Sequence, residues 1–391
     1  MFLSKLSKKE LQNKKVLVRL DLNSPVSKGK VEDSPRFQEA SKTINFLIKN
    51  KSKIVIIAHQ GRQGDSDFTE LKEHAKILSK YTKQKVKYVD SLFEEQAQEE
   101  INKMKPSQVL LLKNVRHYDD EKNTKNPGNL YKNFSKNFSL FINEAFSVSH
   151  RDAASITLPP QIIPSYLGLA FEAELNILSK FNIQDKTCYI IAGMKIPDYL
   201  QLFENIPENR KIIVGGVLAN LFLIAKGHDL GLENKWIAEN GFSQLVPKLK
   251  EIYNKYPNNI VLPIDLACDV KKKRQNFALR EFPLNYKIYD LGDETIKLLE
   301  KELKDKKSVF MKGPIGFTEN RQFEKATIQV LKAISKGDKN TLIGGGHLTT
   351  TIKRAKLNGK FTHISTSGGA LITYLAGKPL PGLEAVKNSV R

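Results

Sequence analysis

The sequence predicts an α/β protein of two doubly wound parallel-sheet (Rossmann-like) domains joined by a helix. Three observations carry that reading. Short β-branched runs alternate with amphipathic helical patterns along the whole 391-residue chain, as parallel strands with crossover helices require. The runs fall into two groups whose strand ends carry different residue types. The chain, 40% apolar, is also long enough for two cores.

The elements follow in order. "KVLVRL" (15–20) is the first strand. A helix starts near Pro35, where proline suits the first turn and Asp33 or Ser34 can cap. "KIVIIA", "QVLLLK" and "FSLFI" are the next strands, each separated by helical segments. "YLGLAFEAELNILSKF" (166–181) reads as a joining helix. The expected divisions are a first domain at 1–165, the helix at 166–182 and a second domain at 183–379. There "TCYIIA", "KIIVG", "NIVLP", "SVFM", "TLIG" and "THIST" continue the pattern, with no sequence repeat between the halves.

Composition excludes several classes. No apolar run approaches the roughly 20 residues of a membrane span. The start, "MFLSKLSKKELQNKK", is broken by lysines too early for a signal peptide. Cys188 and Cys268 make neither a disulfide framework nor a zinc site, so a cytoplasmic location is expected. The net charge of +21 invites a nucleic-acid reading. The lysines are scattered, however, and "KKKR" at 271–274 is the only dense run. A solvated lysine-rich surface that also attracts anionic substrates explains the charge better.

Ligands of doubly wound sheets bind beyond the carboxyl ends of the strands. In the first half those ends carry Asp21 and Asn23, His59 and Arg62, Asn114 and Arg116, then Asn143, His150 and Arg151, while Arg36 opens the first helix. The chain has 52 Lys and 11 Arg, yet four of the arginines fall at this one edge. Arginine supplies a planar fork for phosphate or carboxylate where lysine would serve solubility equally well. Any one of these arginines reads as a surface salt bridge. Four at one sheet edge read as a pocket for a small, multiply charged anion.

The second half ends its strands in glycine: Gly193, Gly215–Gly216, Gly313, Gly344–Gly346 and Gly368–Gly369. Only four of the chain's 23 glycines precede residue 165. Glycine lets backbone approach phosphates, and helices starting there offer N–H groups to them. This suggests a nucleotide, though neither a P-loop nor a G-x-G-x-x-G fingerprint is present. An anion pocket and a nucleotide pocket on two hinged domains imply phosphoryl transfer by domain closure, with no side-chain nucleophile needed.

With these motifs in hand, the chain resembles phosphoglycerate kinase almost end to end. "VLVRLDLNSP", "DSPRF", "AHQGR", "LLLKNVRHYDDE", "INEAFSVSHRDAAS", "AGMK", "GGVLANLFL", "GPIGFTE", "GGGH" and "HISTSGGALITYLAGKPLPG" follow in that family's order. "GGGH" and "ANLFLIAKGHDLG" are similar to its archaeal branch. The resemblance implies reversible transfer of the 1-phosphate of 1,3-bisphosphoglycerate to ADP, giving 3-phosphoglycerate and ATP, with Mg2+. It places 3-phosphoglycerate on the first domain, at Asp21, Leu22, Asn23, Arg36, His59, Gln60, Gly61, Arg62, Arg116 and Arg151. It places the nucleotide on Lys195, Gly215, Gly216, Glu319, Gly345, Gly346, His347, Leu348 and Thr366. Arg36 and Lys195 take the catalytic roles, and segment 380–391 is implied to pack back on the first domain. A monomer without nucleic-acid or membrane partners is expected.

Several positions depart from the commonest family pattern: Glu144, Tyr199, Lys312, His347 and Ser367. His347 stands where the family has a magnesium-binding Asp, which leaves the metal ligand unassigned. Lys312 reads either as one more solvated lysine or as a phosphate ligand. Asp21, Asn23 and Glu319, taken singly, read as turn or cap residues, and His74 and His228 as bland. The alternative function is a noncatalytic nucleotide- or nucleic-acid-binding protein on the same scaffold.

Overall fold

The computed structural model describes residues 1–27, 29–126, 128–182, 187–204, 206–365 and 367–390. The chain divides into two compact units, Met1–Asn176 with Lys378–Arg391, and Ile177–Gly377.

In the first unit the strands are β1 (Lys15–Arg19), a small antiparallel ribbon of β2 (Val26–Ser27) and β3 (Lys30–Val31), β4 (Lys53–Ile57), β5 (Val86–Tyr88), β6 (Val109–Leu111), β7 (Leu140–Asn143) and β8 (Ser165–Leu167). Six of them form a parallel sheet in the order β5-β6-β4-β1-β7-β8. The strands read as unbroken apolar runs because both faces are buried. Val16, Val18, Ile54 and Ile56 pack on Phe37, Ile44 and Leu47 of the helix Pro35–Lys49. Leu17, Val55 and Phe141 face the opposite way, among Leu92, Ile101 and Tyr131. Ser34 occupies the cap position of Pro35–Lys49 but makes no side-chain cap. Its hydroxyl instead meets Ser24 Oγ at 2.7 Å.

The joining helix spans Leu169–Asn182. Tyr166 and Leu167, which the sequence places in that helix, are edge-strand residues paired with Ile142 and Asn143. Gly168 separates the two elements, and a Cβ there would lie 2.1 Å from Glu144 Oε2. Helix Pro381–Lys387 belongs to the first unit. Gly382 N–H donates to the Ser149 carbonyl at 2.9 Å.

The second unit has β9 (Thr187–Ala192), β10 (Ile212–Gly215), β11 (Ile260–Val261), β12 (Asp265–Val270), β13 (Lys273–Ala278), β14 (Lys287–Leu291), β15 (Ser308–Lys312), β16 (Asn340–Gly344) and β17 (His363–Ser365). Its parallel sheet runs β11-β10-β9-β15-β16-β17. Cys188, Ile190, Val309, Met311 and Ile343 share one core with Leu299 and Val330.

Besides the β2–β3 ribbon, one part of the second unit departs from the expectation of parallel sheets alone. β13-β12-β14 form a separate antiparallel sheet. The "KKKR" run lies in its first hairpin, where Lys271 and Lys272 adopt φ of 51° and 63°. Two-residue hairpin turns want positive φ, normally from Asn-Gly or Gly-Gly. Two lysines carry no such signal, so the hairpin was not legible.

Both parallel sheets reverse their strand order once: β1 and β7 lie at the reversal in the first, β9 and β15 in the second. Loops leaving such a pair go to opposite sides and open a crevice at the carboxyl edge.

Candidate active site

In the first unit the crevice is framed by the turn after β1, the loop after β4 and the short helix after β7. The carboxylate of Asp21 is ion-paired with Arg36 and accepts a hydrogen bond from the Ser147 hydroxyl. Arg36 Nη1 also reaches Ser147 Oγ at 3.4 Å. Burial lowers Arg36 to a pKa of about 10, which leaves it charged at neutral pH.

Asn23 clasps the two loops: its Oδ1 accepts Gly61 N–H at 2.9 Å, while its own N–H donates to Asp21 Oδ1 at 3.1 Å. Gly61 has φ +63°, and a Cβ there would lie 2.5 Å from Phe68 N. Only glycine fits that bend. Leu22 and Gln60, both predicted to meet substrate, are completely buried. The Gln60 amide bonds Ser24 N and O at 2.9 and 3.0 Å and His74 Nε2 at 3.0 Å. Its side chain therefore braces the loops.

His59 is 3% exposed, and its Nδ1 lies 3.1 Å from Arg19 Nη2. A guanidinium only donates, so Nδ1 is the acceptor and the proton sits on Nε2. Burial, then the charges of Arg19, Arg116, Arg151 and Arg36, hold His59 well below the usual histidine range. It is a neutral donor at physiological pH.

Arg116 donates to the Gly61 carbonyl. Burial first, then the charges of Arg151 and Arg19, lower it to about 10. Burial and then Arg62 and Arg19 lower Arg151. The guanidiniums of Arg62, Arg116 and Arg151 thus repel one another, and an anion among them relieves that repulsion.

Sequence reasoning missed Arg19 and Ser147. Arg19 ends a buried strand, is 2% exposed, and donates through Nε to Ser155 Oγ at 2.9 Å. Ser155 in turn donates N–H and O–H to Glu121 at 2.9 and 2.8 Å. The signal was an arginine inside "VLVRL", since arginine is almost never fully buried without a partner.

In the second unit the crevice is a cavity of about 580 Å³. Lys195, exposed, stands at the start of helix Ile196–Phe203. Gly345 (φ +125°) precedes helix Gly346–Arg354, whose first residues line the same cavity. Gly216, with φ +60°, also lines it, and a Cβ there would lie 2.9 Å from Gly193 N. Gly215 lies behind, against Ile315. Leu348 is buried in the wall. Glu319 and His347 meet at 3.2 Å. Thr366 lies outside the described residues.

Other parts of the lining were not legible in the sequence. Asn220, Glu233 and Trp236 come from two helices, and Tyr289 and Asp290 from the antiparallel strand β14. Met194 (55% exposed) and Phe317 (43%) add apolar surface at the cavity wall. The lining thus combines glycine backbone and the ammoniums of Lys195, Lys287 and Lys312 with aromatic and apolar surface from Trp236, Tyr289, Met194 and Phe317. That pairing suits a phosphate chain attached to a planar base.

Among the described residues, no group of three His, Cys, Asp or Glu side chains is arranged to hold a metal. The Glu319–His347 pair offers an imidazole, a poor partner for a hard cation that prefers oxygen and water. A resident magnesium site built from side chains does not fit.

The phosphoglycerate kinase family model matches residues 6–378. The phosphoglycerate kinase of Sulfolobus acidocaldarius is 37% identical over 394 residues, covering 96% of this chain and 94% of that protein. That of Methanothermus fervidus is 34% identical over 388 residues, with the same two coverages of 96% and 94%. A crystal structure of phosphoglycerate kinase from Pyrococcus horikoshii OT3 is similar at TM-score 0.89 and 32% identity, covering 99% of this chain and 98% of that one.

Proposed function

The chain belongs to the phosphoglycerate kinase family, and from that premise we propose how its own residues transfer a phosphoryl group between 1,3-bisphosphoglycerate and ADP. The observation that carries the reading is the arginine cluster of the first unit, centred on Arg62, Arg116 and Arg151 with the neutral His59 beside them. These groups hold the 3-phosphate end of the substrate. Asp21 and Asn23 fix its middle, and Arg36 faces its reacting carboxyl end.

The nucleotide lies in the cavity of the second unit. Its phosphates meet Lys195 and the N-terminus of helix Gly346–Arg354, and its sugar meets Glu319. It would enter as its magnesium complex, the ion supplying positive charge against the phosphates. In the ADP direction a β-phosphate oxygen attacks the phosphorus of the acyl phosphate. The bond from phosphorus to the acyl oxygen breaks, and the carboxylate leaves. A carboxylate leaving group needs no proton, so no general acid is required. Arg36 stabilises charge on the phosphoryl in flight, for which positioned guanidiniums are suited. Bringing the two ligands into line requires closure about the joining helix. We take the working form to be a cytoplasmic monomer.

The test is a coupled assay with 3-phosphoglycerate and MgATP. No turnover while nucleotide still binds would overturn the reading. Nothing in the comparisons supports the noncatalytic alternative.

A further inference from the structure

Lys312 is the last residue of β15, the strand beside the reversal point of the second sheet, in register with Ile191 on one side and Gly344 on the other. A lysine at a strand end normally extends into water. This one is 6% exposed and lines the cavity. Its Nζ lies 3.6, 3.7 and 3.8 Å from where Cβ atoms would stand on Gly344, Gly345 and Gly368. The solvated reading of this lysine is therefore wrong.

Its ammonium stands beside the start of helix Gly346–Arg354, the positive end of a peptide dipole. An ammonium and a helix N-terminus repel each other. Both gain when an anion lies between them. A Cβ at Gly344 would stand 3.2 Å from Lys312 Cδ and 2.7 Å from Leu371 Cδ2, so glycine there keeps the path of the lysine stem open.

Resting on the kinase reading above, we propose that Lys312 is a catalytic residue: its ammonium contacts the nucleotide's terminal phosphates and the phosphoryl group as it passes. Lys195 differs in being exposed, so it can gather the nucleotide and adapt to it. Lys312 is buried at the strand end and so is preorganised, and acts where charge develops. Tyr199 supports the assignment geometrically. It lines the cavity and is 3% exposed, with its hydroxyl 3.1 Å from the Cβ position of Gly313, so a lysine at 199 would enter the cavity beside the end of β15.

The experiment compares wild type, Lys312→Met, Lys312→Gln and the double variant Lys312→Met/Tyr199→Lys. Steady-state kinetics are run with 3-phosphoglycerate and MgATP, and calorimetry with MgATP and with adenosine. Loss of one such donor should lower kcat by about 100-fold, with KM for 3-phosphoglycerate little changed. MgATP binding should weaken and adenosine binding stay intact, and Tyr199→Lys should restore part of kcat. Unaltered kcat in both single variants would overturn the proposal. Loss of adenosine binding in both would also overturn it, showing Lys312 to be a packing residue. Absence of turnover in wild type would instead sink the kinase reading, while the MgATP-against-adenosine comparison would still report on Lys312.

Discussion

Acidifying the protein from pH 7 to pH 5 should weaken the loops that frame the first crevice, and His74 is the reason. It is completely buried on helix Lys72–Tyr81, its Nε2 donating to Gln60 Oε1 at 3.0 Å. Nδ1 is buried without a hydrogen-bond partner. Protonation would bury a second donor and a charge there. Burial accordingly lowers the pKa from 6.5 to about 4, against a small opposing effect of Glu73. A depressed pKa gives stability that is fully present above the unfolded value and is lost as pH falls through the folded one. The window is therefore pH 6.5 to 4. At about 1.4 kcal/mol per unit, the loss is about 2 kcal/mol at pH 5 and about 3 kcal/mol at pH 4. Gln60 is the brace of the loop after β4, so the loss falls on the substrate edge first. The measurement is urea unfolding at pH 7, 6 and 5 for wild type and His74→Gln, with amide exchange over Lys72–Tyr81. His74→Gln keeps a donor and cannot titrate. Its stability relative to wild type should rise by about 2 kcal/mol between pH 7 and 5. Parallel pH dependences for the two proteins, or a His74 resonance titrating near 6.5, would refute the reasoning.

Glu144 should give the opposite sign. Burial raises it from 4.5 to about 7 despite hydrogen bonds from Thr43, Ala170 and Phe171. A raised pKa gives stability present below pH 4.5 and lost towards pH 7. Glu144→Gln should remove a loss of about 3 kcal/mol across that window, read from the same unfolding series. Arg36→Ala should lower kcat by about 1,000-fold, as for other phosphoryl-stabilising arginines, whereas Arg62→Ala should chiefly raise KM for 3-phosphoglycerate; stopped-flow turnover separates them. Gly313→Ala should abolish nucleotide binding by calorimetry and lower the melting temperature, because its Cβ would stand 1.9 Å from the Ala192 carbonyl at φ +80°.

How much of this was legible in the sequence depends on how local each signal is. The two parallel sheets were legible because strands buried on both faces must read as apolar runs, and KIVII and TCYIIA do. The antiparallel sheet was not. Lys273–Ala278 is a largely exposed strand of polar residues whose hairpin lacks turn chemistry. At the crevices, sequence reasoning found residues displayed at strand ends and missed those that hold them. Arg19 was hidden in an apolar strand. Gln60 was read as a substrate ligand, although its amide is consumed by Ser24, Asp67 and His74. Lys312 stood undecided, since burial at a strand end depends on glycines 32 to 56 residues further along the chain. Long-range closeness of that kind leaves no local trace.

The two crevices solve one problem by different means, and the difference follows from what each must hold. A small anion with several charges has no apolar handle, so affinity must come from charged groups fixed in place. On the proposed reading the first unit would do this with guanidinium forks, beside loops joined by the Asn23–Gly61 clasp and with Arg36 held by its salt link to Asp21. A nucleotide brings a base that apolar surface can anchor, so its phosphates can be met by backbone. Backbone donors cost no side-chain entropy to order, but they demand positions without Cβ atoms. On that reading, glycines concentrate in the second half and arginines at the edge of the first for this reason. On the role proposed above, Lys312 would combine both devices: a full charge, buried at a strand end beside glycine backbone, set where the phosphate chain would be held while one of its bonds is exchanged.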